Sequence, residues 1–382
     1  MSIQNVLICI PVLLIGGTEI QTLNLVNVFV EAGYRVTVCC YYEYDAAMVL
    51  QMKQTGAEVI LMELKRSDGL WHLFKKLRVL LRQMNPDIIH VQYIAPGLLP
   101  IIAARLAGIK TIFATVHQPG RVYGWKEKVF LRIAARLCTA FFCNSKAVEK
   151  SWFGDSQIFN PEKIDKKRKH FTIYNGVDVD RIERIVKEAD SDRIRESLNI
   201  RNKKVVGVVG RLRGEKGQAV LLKAMVDVIK TFPDTVLLVV GDGPDRQHLE
   251  QMAIQLGIND NILWLGQRKQ QEVFELYSIM YVVAVPSIFE GFGLTAAEAM
   301  AAGVPVIASA VDGLMEVIED GVNGYLVPVD DSKKLSIALI NVLSKKQKSV
   351  DIANKGKEHI KNNFSIDKFA VSMTTAYQSF VS

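Results

Sequence analysis

The sequence lacks the marks of several common protein classes. No CxxC pair occurs among its five cysteines, Cys9, Cys39, Cys40, Cys138 and Cys143, and no histidine stands beside them at metal-ligand spacing. That argues against a zinc ribbon or a thioredoxin-like framework, and the odd count fits a reduced, cytosolic chain. No apolar run reaches the roughly 18 residues of a membrane span. The opening MSIQNVLICIPVLLIGG has neither a positive leader nor a small-residue cleavage site after its apolar run. It is expected to be a buried first strand over 5–14 rather than a signal peptide. GxGxxG is absent, which disfavours a nicotinamide enzyme, and so is the GK[ST] of a P-loop.

What is present is an ordinary globular balance, 49% hydrophobic and 23% charged, which excludes a disordered chain. At about 150 residues per domain, 382 residues point to two domains or three. The net charge of +7 is unevenly held: residues 1–170 carry 22 basic and 13 acidic side chains, the rest 25 and 27. Something anionic is therefore expected near the first half.

Apolar runs of four to eight residues alternate with helical patterns. Val6–Ile10, Val36–Tyr41, Ile88–Tyr93, Thr111–Val116 and Ala140–Asn144 are strand candidates in the first half. The pattern restarts with Lys204–Val209, Thr235–Gly241, Asn261–Gly266, Val282–Ser287 and Val304–Ala308. Continuous apolar strands separated by helices indicate parallel sheets, and two such series indicate two doubly wound α/β units. The expected division is a first domain over 1–175, a charge-rich linker over 176–203, a second domain over 204–364, and a final helix over 365–382. Phe369, Met373 and Tyr377 line one face of that helix. The lysine cluster over 161–169 reads as a solvated loop.

Three segments could carry chemistry. Gly16-Gly17-Thr18-Glu19 follows the first strand and opens a helix, where backbone N–H groups can approach a phosphate; a plain tight turn explains it equally well. Gly210-Arg211-Leu212-Arg213-Gly214-Glu215-Lys216-Gly217 follows a strand with two cations suited to a diphosphate, Arg211 as a fork and Lys216 as a point charge. A solvated basic turn is its bland alternative. Glu290-Gly291-Phe292-Gly293-Leu294-Thr295-Ala296-Ala297-Glu298 crosses from a loop into a helix. Each glutamate could accept hydrogen bonds from a pair of hydroxyls, and first-turn N–H groups from Phe292 to Thr295 could receive a phosphate or sugar oxygen. A structural helix cap is the alternative here. No DxD-like metal signature stands at a strand end, so no metal and no cofactor is expected.

These elements, with Gly241-Asp242-Gly243-Pro244, occur together and in order. The chain resembles the family-four retaining glycosyltransferases of the GT-B fold, most specifically over about 200–330. The resemblance implies two Rossmann-like domains facing a central cleft, with a nucleotide-sugar held mainly by the second. It implies Arg211 and Lys216 on the donor diphosphate, Glu298 on the ribose and Glu290 at the sugar. Phe292, Gly293, Leu294 and Thr295 would offer backbone groups, Gly16 and Gly17 would approach the phosphate, and Gln267 and Arg268 would lie near the base. His117, at the end of Thr111–Val116, stands where the family often has a histidine near the donor sugar; where an acidic residue commonly follows, this chain has Gln118. The implied final helix crosses back onto the first domain.

The expected activity is a retaining, metal-independent, hexosyl-type transfer from a nucleotide-sugar, UDP before GDP, to a lipid-linked or polysaccharide acceptor of the cell envelope. A GT-B-shaped sugar-nucleotide epimerase and an inactive nucleotide-sugar-binding protein are the alternatives. Residues 65–84 and 121–136 interleave cations with Trp71 and Trp125, a pattern that suits peripheral contact with an anionic membrane as well as a solvated helix face. No nucleic-acid-binding module is evident.

Overall fold

A computed structural model describes residues 4–93, 97–165 and 167–381. Ends of the expected segments that fall outside these ranges, Ser382 among them, lie outside the described residues. The chain divides into two compact units: residues 1–176 with 366–382, and residues 177–365.

The first unit holds a seven-stranded parallel sheet: β1 (Asn5–Ile10), β2 (Arg35–Cys40), β3 (Glu58–Leu61), β4 (Ile88–Tyr93), β5 (Thr111–Val116), β6 (Ala140–Cys143) and β7 (His170–Thr172). Its order is β3-β2-β1-β4-β5-β6-β7, with Val6 opposite Val36 and Ile88. The order reverses at β1, the arrangement of a doubly wound fold. Both faces are covered, and strand alternation shows it: Val6, Ile8 and Ile10 enter one core cluster, Leu7 and Cys9 the other. β1 stops at Ile10, short of the expected residue 14. Pro11 cannot donate to the ladder, and its carbonyl accepts from Tyr42 N–H at 2.9 Å. All five cysteines are buried thiols.

The second unit holds a six-stranded parallel sheet: β8 (Lys204–Val209), β9 (Thr235–Val240), β10 (Ile262–Gly266), β11 (Val282–Val285), β12 (Val306–Ser309) and β13 (Tyr325–Val327). Its order is β10-β9-β8-β11-β12-β13, so this sheet reverses at β8. Residues 176–203, expected as a linker of connecting helix and loop, contain the helices Val179–Glu188 and Ser191–Ser197, and from Val177 on they belong to this unit. Part of the charge that suggested a linker pairs across helices, as Lys357 does with Glu183 at 2.8 Å. Val179 and Ile182 are buried, and Arg195 Nη2 donates to the Ile279 carbonyl at 2.7 Å.

The final helix, Ile366–Val381, lies in the first unit and buries Phe369, Met373 and Tyr377. The Tyr377 ring packs on Phe29 and Phe113 with centroids 4.2 and 4.3 Å away. Its hydroxyl lies 2.5 Å from His90 Nδ1, while His90 Nε2 lies 2.7 Å from Thr115 Oγ1. Burial lowers the His90 pKa to about 3, so the ring is neutral and held at both nitrogens. Tyr377→Phe should leave a buried ring nitrogen unpaired and lower the stability of this unit by about 1–3 kcal/mol. A denaturant titration checks it; an unchanged midpoint would mean that the ring packing alone docks the helix.

Candidate functional site

The strongest constellation lies in the second unit, at the C-terminal ends of the adjacent strands β8 and β11. That is the reversal point of the sheet, where open α/β folds bind ligands. Two loops meet there. The first runs from Gly210 through a single turn, Gly214–Lys216, into the helix Gln218–Thr231. The second runs from Pro286 to the helix Leu294–Ala301. Ile288 N–H donates to the Glu215 carbonyl at 2.8 Å and ties the two together. Gly217 has φ +67°, and a Cβ there would stand 2.0 Å from the Pro286 carbonyl oxygen, so only glycine allows the approach. Gly241, at φ +136°, likewise lets the loop after β9 press on the Gly210 carbonyl.

Across this junction Lys216 Nζ stands 2.5 Å from Glu290 Oε1. The ammonium is about one-third exposed and the carboxylate mostly covered, at 31% and 14%. The same carboxylate oxygen accepts from the buried Ser287 hydroxyl at 3.1 Å. Arg211 is exposed, with no hydrogen bond or ion pair on its guanidinium among the described residues. Its carbonyl accepts from the buried Gln218 amide at 3.0 Å, which fixes the backbone beneath it. One loop thus carries an anchored cation, Lys216, and an exposed one whose guanidinium is unpaired among the described residues, Arg211.

Gly293 caps the helix Leu294–Ala301 at φ +92°. Leu294 and Thr295 form the first turn and are half-buried, and first-turn N–H groups have no partner within their own helix. The Phe292 ring is packed edge-on against Phe364 at 5.3 Å, so only its backbone can serve a ligand. Glu298 sits one turn in. Desolvation raises its pKa to about 7, against the lowering effects of the Gln270 hydrogen bond and of Arg181. Gln270 Nε2 lies 3.5 Å from Glu298 Oε1, and Arg181 Nη1 lies 3.4 Å from Gln270 Oε1. This chain of contacts was missed in the sequence because Arg181 lies in the segment taken for a linker. Ser287 and Gln218 carried no motif of their own.

Within the second unit, the remaining expected residues follow the edge strand β10 rather than β8 or β11. Gln267 and Arg268 are exposed beyond β10, at the sheet edge, with Arg268 3.6 Å from Glu272. In the first unit, His117 Nε2 donates to Gln92 Oε1 at 2.8 Å, and burial lowers the His117 pKa to about 4. The ring is neutral, with Nδ1 left as an acceptor. It borders a small pocket with Gln21, Gln92, Thr115 and Asn175. Gly16 caps the helix Gly17–Glu31, and the Glu19 carboxylate lies 2.6 Å from where a Gly16 Cβ would be. A phosphate at this helix start would share it with that acid.

One group in the first unit has metal-ligand types, Glu149, Asp155 and His170. A cation already fills it: Arg168 reaches Glu149 and Asp155 at 2.9 Å each. Arg168, expected in a solvated loop, clamps β7 instead, and Thr172 Oγ1 donates to Glu149 Oε2 at 2.6 Å. This is an ion-pair network rather than a metal site.

Comparisons with known proteins identify the family and the fold. Residues 190–359 match the family described as glycosyl transferases group 1, and residues 15–181 match glycosyltransferase family 4. The chain is 30% identical over 277 residues to an uncharacterized glycosyltransferase of Methanocaldococcus jannaschii, covering 72% of this chain and 70% of the relative. It is 28% identical to the UDP-Gal:alpha-D-GlcNAc-diphosphoundecaprenol alpha-1,3-galactosyltransferase of Escherichia coli, over 76% of this chain and 74% of that one. The crystal structure of Anabaena HepE in complex with UDP and glucose superposes with a TM-score of 0.83 at 22% identity, over 98% of this chain and 100% of the other. That likeness shows the fold, two Rossmann-like domains of the GT-B kind.

Proposed function

The chain belongs to the group 1 glycosyltransferases, and from that premise we propose that it moves a sugar from a nucleoside diphosphate sugar to a hydroxyl of a lipid-linked or saccharide acceptor. The observation that carries the proposal is the pairing of Lys216 with Glu290 beside Arg211 at the reversal point of the second sheet. Arg211 and Lys216 would hold the diphosphate, Glu298 the ribose diol and Glu290 the sugar hydroxyls. The roles implied for Gly16, Gly17, His117, Gln267 and Arg268 belong to the same proposal. A uridine nucleotide is put before a guanosine one, supported by the UDP-galactose in the name of the Escherichia coli relative. The diphosphoundecaprenol in that name supports a lipid-linked acceptor; a position at the cytoplasmic face of the membrane belongs to the same proposal.

The proposed route is front-face displacement with retention. The bond from the anomeric carbon to the diphosphate oxygen breaks, and the bond to the acceptor oxygen forms on the same face. The acceptor's proton passes to the leaving phosphate. Charge on that phosphate is met by Arg211, Lys216 and helix N–H groups, with no metal ion in the scheme. A panel of UDP- and GDP-sugars with a polyprenyl-phosphosugar or saccharide acceptor tests this. The expected result is acceptor-dependent release of nucleoside diphosphate, a product with the donor's anomeric configuration, and a rate unchanged by EDTA. An inverted product or a trapped glycosyl-enzyme would remove the front-face route. EDTA-sensitive turnover would remove metal independence, and sugar isomerised without acceptor would replace transfer by epimerisation.

A further inference from the structure

Three helices of the first unit lie side by side: Gly69–Met84, Leu98–Leu106 and Trp125–Leu137, the middle one packed against both others. Their inner residues, among them Leu73, Leu77, Ile101 and Leu131, join one core cluster. About half the apolar residues of the 65–84 stretch are thus committed to the sheet. The outer faces are unusual. Trp71 and Trp125, two of the chain's four tryptophans, are 66% and 71% exposed. Leu70, Val79, Val129 and Phe130 are also exposed. Single exposed apolar side chains need no explanation, but several on adjoining helices, two of them tryptophans, point to an interaction surface.

The charge on these helices is almost all of one sign. The three helices carry nine Lys and Arg and a single acid, Glu127. Lys75, Lys76, Arg82, Lys126 and Arg136 make no ion pair among the described residues. A merely solvated helix face would interleave both signs. Lys75 lies 5.4 Å from the Trp71 ring and Lys126 lies 5.9 Å from the Trp125 ring. Each tryptophan is thus an apolar body with a cation at its side, the combination that sits at the headgroup level of a bilayer.

We propose that the outer face of these three helices is a docking surface for an anionic lipid bilayer. Trp71, Trp125 and Phe130 enter the headgroup layer, and Lys75, Lys76, Lys126 and their neighbours meet lipid phosphates. Its purpose rests on the lipid-linked acceptor of the proposed function, while its existence rests on the observations above. Nucleic acid would use the cations and leave the apolar residues in water; a second copy of the chain would present the same positive charge to itself.

Vesicle flotation of the full chain tests the surface, with phosphatidylglycerol-containing vesicles against pure phosphatidylcholine, at low and high salt. The expected result is flotation with anionic vesicles only, weakened by salt. Two exposed-residue variants, Trp71→Ser/Trp125→Ser/Phe130→Ser and Lys75→Glu/Lys76→Glu/Lys126→Glu, should each reduce binding at least about tenfold. Both should keep the thermal midpoint and the rate of transfer to a water-soluble acceptor. No flotation of the unmodified chain at low salt, or flotation of both variants equal to that of the unmodified chain, overturns the surface. So does a dimer in sedimentation velocity that the tryptophan variant dissolves. Normal flotation with no transfer from any nucleotide-sugar would sink the proposed function and leave the surface standing.

Discussion

Arg211→Ala and Lys216→Ala should each lower kcat by about 100- to 1000-fold with donor saturating, the loss expected when one preorganised contact to developing charge is removed, about 3–4 kcal/mol. The two variants separate activity from stability. Arg211 is exposed and its guanidinium has no partner among the described residues, so its removal should leave the thermal midpoint in place. Lys216 neutralises Glu290, whose carboxylate is mostly covered; its removal leaves the Ser287 hydroxyl as the remaining side-chain donor to that carboxylate among the described residues. The pair is partly in water, so the stability loss should be modest, about 1 kcal/mol, far less than the catalytic loss. Glu290→Gln in the Lys216→Ala background should restore the midpoint without restoring turnover. Arg211→Lys should recover part of the rate, because charge returns but the two-point grip does not. Near-normal turnover in both alanine variants would remove the diphosphate assignment.

Most of the two sheets can be read from the chain because central parallel strands are buried on both faces and appear as unbroken apolar runs, such as Val205–Val209 and Val282–Val285. The strands that escaped are β3, β7 and β13, all at sheet edges and three or four residues long. One face or one side of each is uncovered, so no apolar run announces it. The site followed the same logic. Arg211, Lys216 and Glu290 stand out because glycines adjoin them in sequence, and Glu298 by its spacing from Glu290; at Gly217 the glycine is there because the two loops press on one another's backbone. Ser287, Gln218, Gln270 and Arg181 act through tertiary contacts alone, and nothing local to them signals it. Arg181 was further hidden by its charged surroundings. On a helix whose inner side holds Val179 and Ile182, charge marks the outward face rather than a linker. The basic first half shows the same ambiguity at 65–84. Periodicity gives a helix with cations, but only the structure separates Leu73 and Leu77, which face the sheet, from Leu70 and Trp71, which face solvent.

Donor kcat/KM should rise about tenfold between pH 6 and pH 8, with an apparent pKa near the value of about 7 set on Glu298 chiefly by desolvation. The sign follows from which form binds. A ribose diol donates two hydrogen bonds, and the ionised carboxylate accepts both, whereas the protonated acid spends one oxygen as a donor. Well below the pKa each unit of pH therefore removes about tenfold of the competent form, and above it the profile is flat. Hydrogen bonds to the bound diol favour the charged form, so the limb in kcat should lie at lower pH than the limb in kcat/KM. His117 cannot supply this limb, since burial lowers its pKa to about 4 and it is neutral throughout the range. Glu298→Gln should flatten the profile and, at pH 8, lower kcat/KM by about 10- to 100-fold, the worth of a charged hydrogen bond. Arg181→Ala removes a cation that lowers the Glu298 pKa, so it should move the limb to higher pH while leaving the plateau in place. A wild-type profile flat from pH 6 to 8, or a slope that survives in Glu298→Gln, would take the ribose away from Glu298. A limb unmoved by Arg181→Ala would reduce the Arg181–Gln270 contact to packing.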